Sequence, residues 1–344
     1  METINNLLIN IAHGIRGFIL SYGATGDAAD LLMTVVAAAI LLGIIGFVGL
    51  YGIYAERKIA GFFQERYGPN RVGPYGLLQS VADGLKLIGK EDLRPAGADP
   101  WVFTAAPYVV LTPAVMVWAV LPFSKNIVAV DLNIGILYVV AVSSVTTLGL
   151  LMAGWGSNNK YSLLGGMRSV AQMISYEIPL VFSLMGVIMI TGSLNLSDIV
   201  AAQERVWFIV PQILGFLVFV CAATAELNRV PFDLTEGESE LTAGTYTEYS
   251  GMRWALFFAA EYANLFAVSA IATTFFLGGW QGPLLPPYLW FFIKTCGMIF
   301  FFMWLRWTLP RFRIDQVLNF GWKLLLPLSI ANIFITGIGH YLLG

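Results

Sequence analysis

Charge is scarce in this chain. Only 12% of its 344 residues are Asp, Glu, Lys or Arg, about half the share found in soluble domains. Hydrophobic residues make up 58%, and the mean hydropathy is +0.74. These values exclude an ordinary soluble domain and imply a polytopic membrane protein. Cysteine is nearly absent. Cys221 and Cys296 both fall in apolar stretches, which argues against a disulfide framework. The two histidines, His13 and His340, sit towards opposite ends of the chain. With no central His and no Cys pair at ligand spacing, no haem, iron–sulfur or zinc site is expected here. Any redox chemistry would take its electrons from elsewhere. The net charge of −2 carries no signal of a nucleic-acid partner, and none is expected.

Residues 1–30 hold an apolar run, Leu7–Tyr22, broken by His13 and Arg16. A positive n-region and an A-x-A-type cleavage site are both lacking, so the segment does not read as a signal peptide. An interfacial helix on the periplasmic side is expected. A bilayer-crossing helix needs about 20 apolar residues. Eight stretches qualify: Leu31–Ala55, Trp101–Phe123, Leu132–Trp155, Val170–Leu194, Val206–Ala225, Trp254–Leu277, Tyr288–Leu305 and Trp322–Tyr341. The fold class expected is therefore an all-α polytopic membrane protein. It has about eight transmembrane helices in a single membrane domain over residues 1–344, plus one amphipathic helix on the cytoplasmic side.

Loop charges orient the chain. The loop after the first span carries Arg57, Lys58, Arg66, Arg71, Lys86, Lys90 and Arg94. Later loops on the same side add Lys160, Arg168, Arg229, Arg253, Arg306, Arg311 and Arg313, whereas the opposite side offers Arg16, Lys125 and Arg205. Odd-numbered loops are thus expected in the cytoplasm and both termini in the periplasm of a bacterial inner membrane.

The basic loop, residues 56–100, opens with Glu56, Arg57 and Lys58 at a helix end. In RYGPNRVGPYG, Arg66–Gly76, two Gly-Pro pairs demand turns and stiffen the loop. Next, Leu77, Leu78, Val81, Leu85 and Ile88 share one helical face, while Gln79, Asp83, Lys86 and Lys90 share the other. This is the pattern of a helix lying on the membrane surface. It suits either a plain anchor or the wall of a site open to lipid.

Acid is concentrated elsewhere. The loop 226–253 and the span after it hold Glu226, Asp233, Glu236, Glu238, Glu240, Glu248 and Glu261. Glu177, Glu261 and Lys294 lie inside spans, where a charge costs on the order of 2.5–3.5 kcal/mol and usually has a partner and a function. Lys294 equally suits the simpler role of neutralising one glutamate. Carboxylates crowded at low dielectric cannot all ionise, so such a chain of groups can pass protons.

The motifs GPNRVGPYG, ADGLKLIGKED, AELNRVPFDLTEGESEL, Glu248-Tyr249, AEYANLF and LPRFRIDQ occur in that order. Together they resemble the quinone-site membrane subunit (the H subunit) of bacterial respiratory complex I. The resemblance runs from about Leu31 to the last span. It implies a membrane component of a proton-pumping NADH:quinone oxidoreductase that is not catalytic alone. It further implies quinone, such as ubiquinone, as substrate. Iron–sulfur clusters and FMN would lie in partner subunits, and this chain would bind no cofactor and no metal. The partners implied are peripheral-arm subunits bearing the terminal cluster and quinone site, small membrane-arm subunits, and the lipid membrane. Carried over by position, Glu56, Arg57, Lys58, Arg66 and Arg71 would form the quinone-tunnel mouth. Asp233, Glu236, Glu238 and Glu240 would line its inner part. Glu177, Glu226 and Glu261, with Glu248 and Lys294, would belong to a proton path. The alternatives are a membrane component of a complex-I-related hydrogenase, a stand-alone proton or cation transporter, and a purely structural anchor. The intact GPNRVGPYG turn and AELNR lead-in favour the quinone enzyme, and no paired interrupted helices of the transporter kind are visible.

Overall fold

The structure is a computed structural model that describes residues 26–125, 127–234 and 242–343. The expected interfacial helix within residues 1–25 lies outside them. So do Glu236, Glu238 and Glu240.

Among the described residues the regular structure is helical. Twelve α-helices follow one another: α1 Gly26–Phe63, α2 Gln79–Gly89, α3 Pro100–Trp118, α4 Gly135–Ser143, α5 Val145–Gly156, α6 Lys160–Thr191, α7 Leu196–Ala202, α8 Ile213–Glu226, α9 Gly251–Phe276, α10 Pro287–Thr308, α11 Ile314–Phe320 and α12 Leu326–Leu343. Short 3₁₀ turns stand at Pro74–Gly76 and Gly244–Tyr246, and a π-helical turn, Gly321–Leu325, joins α11 to α12. Two compact units are distinguished, Met1–Val48 and Gly49–Gly344. The described part of the first is the apolar N-terminal stretch of α1.

Among the described residues seven helical runs are long and apolar enough to cross a membrane: α1, α3, α4 with α5, α6, α9, α10, and α11 with α12. The eighth apolar stretch behaves differently. The sequence predicts a span over Val206–Ala225, but α8 has 14 residues, about 21 Å of helix. Pro211 restricts the residue before it and cannot donate to a helical ladder. The preceding turn is instead held by Gln203, whose side-chain oxygen accepts from the Phe208 backbone N–H at 3.2 Å. Seven long spans and one short apolar helix form the polytopic all-α architecture.

Helix starts follow local chemistry. Asp99 accepts from the N–H groups of Trp101 and Val102, with Pro100 at the first helical position of α3. This pairs a carboxylate cap with a residue whose missing N–H is no loss there. Asn159 caps α6 by accepting from the Tyr161 N–H at 2.9 Å. Packing between spans relies on small residues. At Gly149 of α5 a β-carbon would stand 2.5 Å from Val110 Cγ2 on α3. Trp118 at the end of α3 stacks on Phe266 with centroids 4.2 Å apart and donates its indole N–H to the Ala263 carbonyl, fixing α3 against α9.

The amphipathic helix forms as its pattern predicts. Leu85 and Ile88 of α2 are 66% and 65% exposed, so its apolar stripe faces away from this chain. The preceding basic loop is shorter than the sequence suggests, because α1 runs on through Glu56, Arg57 and Lys58 to Phe63.

Candidate functional site: a buried charge cluster beside a polar cavity

On α1, successive residues point about 100° apart. Glu56 therefore turns inward while Arg57 and Lys58 turn away. Glu56 is 4% exposed and meets three groups. Arg229 Nη1 lies 3.1 Å from its Oε2, Arg306 Nη1 2.5 Å from its Oε1, and the Tyr262 hydroxyl donates to Oε2 at 2.9 Å. Glu261, one helical step before Tyr262 on α9, lies with its Oε1 3.0 Å from Arg229 Nη2 and 3.7 Å from Arg306 Nη1. The Arg229 guanidinium also lies over the Tyr262 ring at 5.3 Å. Burial works against the charge on Arg229, but Glu56 and Glu261 outweigh it and hold its pKa above the ordinary value. Two carboxylates and two guanidiniums thus neutralise one another at low dielectric, the condition that makes buried ion pairs tolerable.

Next to this cluster is a polar cavity walled by Glu226, Asn228, Tyr246, Glu261, Asn264 and Arg306. Its volume is about 40 Å³, room enough for ordered water beside polar side chains. Glu226, the last residue of α8, borders a second, mainly apolar cavity lined by Leu180, Leu184, Phe219 and Ile271. Glu177 on α6 is close enough to Glu226 for the two charges to interact. Glu261, Glu226 and Glu177 therefore come from three helices to one region of the bundle.

The remaining sequence-derived candidates fall in separate places. Arg57, Arg66 and Arg71 line one open cleft with Tyr67, Asn70 and Gln79. Lys58 joins them by donating to Asn70 Oδ1 at 3.3 Å. Arg57 also pairs with Asp83 of α2 at 2.6 Å. Burial opposes the charge on Asp83, but the hydrogen bond and charge of Arg57 prevail and hold its carboxyl below the usual range. At the other end of α2, Asp92 pairs with Arg253 at 3.0 Å, and Ser250 bonds the backbone of Glu91 and Leu93. The surface helix is thus pinned to α1 at one end and to α9 at the other.

Asp233 is buried and paired with Arg311 at 2.7 Å. The Phe232 ring beside it touches Tyr176 and Phe312, and the Phe312 N–H donates to the Pro231 carbonyl. A strap after α10 therefore holds the PFD segment. Glu248 accepts from Asn159 Nδ2 at 2.6 Å, and the structure does not join it to the cluster. Nor does it join Lys294, whose ammonium donates to the carbonyls of Leu277, Gly279 and Gln281 at 2.6, 3.2 and 2.6 Å. That ammonium also lies over the Trp207 ring at 4.2 Å. In place of a glutamate partner, Lys294 has the carbonyl-rich end of α9, where a cation is favoured.

Arg229, Arg306 and Tyr262 were not among the sequence-derived site residues. Arg229 and Arg306 read as loop charges. The signal for them was the need of buried carboxylates for bases. Among the described residues no group of three or more His, Cys, Asp or Glu side chains is placed to hold a metal ion.

Comparison with known proteins gives the family. A family model described as NADH dehydrogenase matches residues 35–337. The H subunit of NADH-quinone oxidoreductase from Carboxydothermus hydrogenoformans is 51% identical over 341 residues, covering 98% of this chain and 97% of that protein. The H subunit of the same enzyme from Dehalococcoides mccartyi is 58% identical over 297 residues, 86% of this chain and 84% of the relative. That of Bacillus cytotoxicus is 54% identical over 307 residues, 88% and 92%. Helices long and apolar enough to cross a membrane and identity along nearly the whole length agree. The chain belongs to the NADH dehydrogenase family, as a multi-pass membrane subunit of NADH-quinone oxidoreductase.

Proposed function

We propose that this chain forms a quinone-access tunnel and couples quinone reduction to proton movement through buried carboxylates. Quinone reaches the site from the bilayer beside α2, whose apolar stripe faces away from the chain. Arg57, Lys58, Arg66 and Arg71 form the mouth, and Asp233, Glu236, Glu238 and Glu240 line the inner part. Electrons come from an iron–sulfur cluster of a peripheral-arm subunit, fed through FMN from NADH. The chain forms one membrane domain in a bacterial inner membrane, with the basic and acidic loops in the cytoplasm and both termini in the periplasm.

The charge produced on quinone reduction, or the protons it draws, perturbs the neutral cluster of Glu56, Arg229, Glu261 and Arg306. The disturbance passes across the polar cavity to Glu226 and on to Glu177, towards the rest of the membrane arm. The observation that carries this reading is the shared cavity: Glu261 and Glu226 wall the same water-sized space, and Glu261 also belongs to the charge cluster. Carboxylates at low dielectric separated by water can exchange protons when a neighbouring charge changes.

The test is Glu226→Gln in assembled complex. Quinone reductase activity and protons pumped per electron are measured in sealed membrane vesicles. Loss of pumping is expected, and wild-type values for both refute the reading.

A further inference from the structure

The two guanidiniums of the cluster are held differently. The Arg229 side chain is 1% exposed and enclosed by Glu56, Glu261 and the Tyr262 ring. Arg306, in the last turn of α10, is 23% exposed. It makes a short contact to Glu56 and a longer one, 3.7 Å, to Glu261, and it forms part of the cavity wall. Glu56 keeps Arg229 and Tyr262 if Arg306 moves. Glu261 keeps Arg229 alone.

With both arginines in place the cluster sums to zero charge. Withdrawing one guanidinium leaves one uncompensated negative charge in a buried site. An isolated buried charge is expensive enough that such a site is neutralised instead. Of the two carboxylates, Glu261 borders the water-sized cavity, so it is the one a proton can reach.

We infer that Arg306 is the exchangeable counter-charge of this cluster: when an anion on its exposed side draws the guanidinium away, Glu261 takes a proton from the cavity it shares with Glu226. The inference rests on the quinone and proton-path reading above. The anion is the oxyanion of reduced quinone, which that reaction produces. No covalent bond is made or broken apart from the proton transfer. A water-borne proton binds the Glu261 carboxylate as the guanidinium pairs with the oxyanion. On its return the proton leaves, and Glu226 on the cavity wall is placed to receive it. The titratable and charged groups facing Glu261 and Arg306 are Glu56 from α1, Glu226 from α8, Arg229 from the loop after α8, Tyr246 from the 3₁₀ turn and Tyr262 from α9. The other cavity-lining residues, including Val110, Thr146, Leu150 and Met173, do not titrate. Arg306 is thus a positioning residue that acts through Glu261.

The experiment compares Arg306→Gln, Arg306→Lys and Glu261→Gln, singly and combined, in assembled complex in sealed vesicles. The readouts are the pH profile of quinone reduction and protons pumped per electron. Arg306→Gln is expected to move the profile to higher pH, because an opposite charge beside the carboxylate is lost, and to lose pumping. Arg306→Lys keeps the charge on a shorter side chain with a different head group, so a smaller shift in the same direction is expected. In a Glu261→Gln background neither substitution should shift the profile further. A wild-type profile and pumping ratio in both Arg306 variants, or a shift that persists without Glu261, overturns the inference. If Arg306→Gln does not assemble, Arg306→Lys with and without Glu261→Gln decides by the same criteria. Loss of pumping in Glu226→Gln with wild-type behaviour of the Arg306 variants sinks only this inference, whereas wild-type pumping in Glu226→Gln sinks the underlying proton path.

Discussion

Arg229 Nη1 stands 3.1 Å from Glu56 Oε2, joining the loop after α8 to the inward face of α1. Its other amino group reaches Glu261 on α9. One guanidinium thus holds three segments that are remote in sequence. Arg229→Met strands a carboxylate in the interior and is expected to cost about 3–5 kcal/mol, seen as early loss of this chain during thermal or detergent unfolding of the complex. Adding Glu261→Gln restores neutrality with Arg306 and Glu56, so the double variant should regain part of that stability.

Lys294 should matter for assembly more than for pumping. Its ammonium satisfies three carbonyls at the end of α9, and bonds to a charged group contribute about 1.5–3 kcal/mol each at most. Lys294→Met is expected to lower the yield and melting temperature of the complex. Protons pumped per electron, measured on the fraction that assembles, should stay at the wild-type ratio.

The attachment of α2 to α1 should depend on pH and salt. The Asp83 carboxyl is held below its ordinary value in the folded chain. Its contribution is therefore fully present above the unfolded carboxyl pKa, about 4, and is lost as pH falls through the lower folded value. Exposed pairs are also screened by salt. Hydrogen exchange across residues 79–89 should accelerate on acidification below about pH 4 or at high ionic strength. Asp83→Asn should show that faster exchange already at neutral pH.

Gly165 of α6 marks where the acidic segment is packed down. A β-carbon there would lie 2.8 Å from the Thr245 backbone N and 2.9 Å from the Gly244 carbonyl carbon, and Ser162 one turn earlier donates to the Thr245 carbonyl at 3.0 Å. Gly165→Ala must push this turn away, at a cost of about 1–3 kcal/mol for an overpacked core. Tyr246, which walls the polar cavity, moves with it. Lower stability together with reduced pumping is expected, and Ala at the open position Gly43 is the control.

Much of the fold was readable residue by residue. The long apolar runs specify helices because only a helix satisfies every backbone group in lipid. The spacing of Leu78, Val81, Leu85 and Ile88 announced α2 and its outward stripe. The short α8 was not readable. Val206–Ala225 is apolar throughout, and the turn before Pro211 depends on Gln203, a partner beyond the span. The site divided in the same way. Glu177 and Glu261 stood out because carboxylates are rare in spans, and Glu226 because it opens the acidic loop. Glu56, Arg57 and Lys58 read as one basic-acidic group, yet the helical turn sends Glu56 to the interior and Arg57 to Asp83. Lys294 invited a glutamate partner, whereas its real partners are backbone carbonyls, which every residue carries and no sequence pattern marks.

The sequence alone determined that this is an all-helical membrane chain, where its acid and base are concentrated, and which family it resembles. Composition and helical period act locally, so they survive without knowledge of neighbours. Only the tertiary structure decided which charges meet. It paired Arg229 and Arg306 with Glu56 and Glu261, set a water-sized cavity between them and Glu226, and left Lys294 and Glu248 apart. Electrostatic partnership depends on distance and burial at a few ångströms, and those are settled by how helices far apart in the chain pack together.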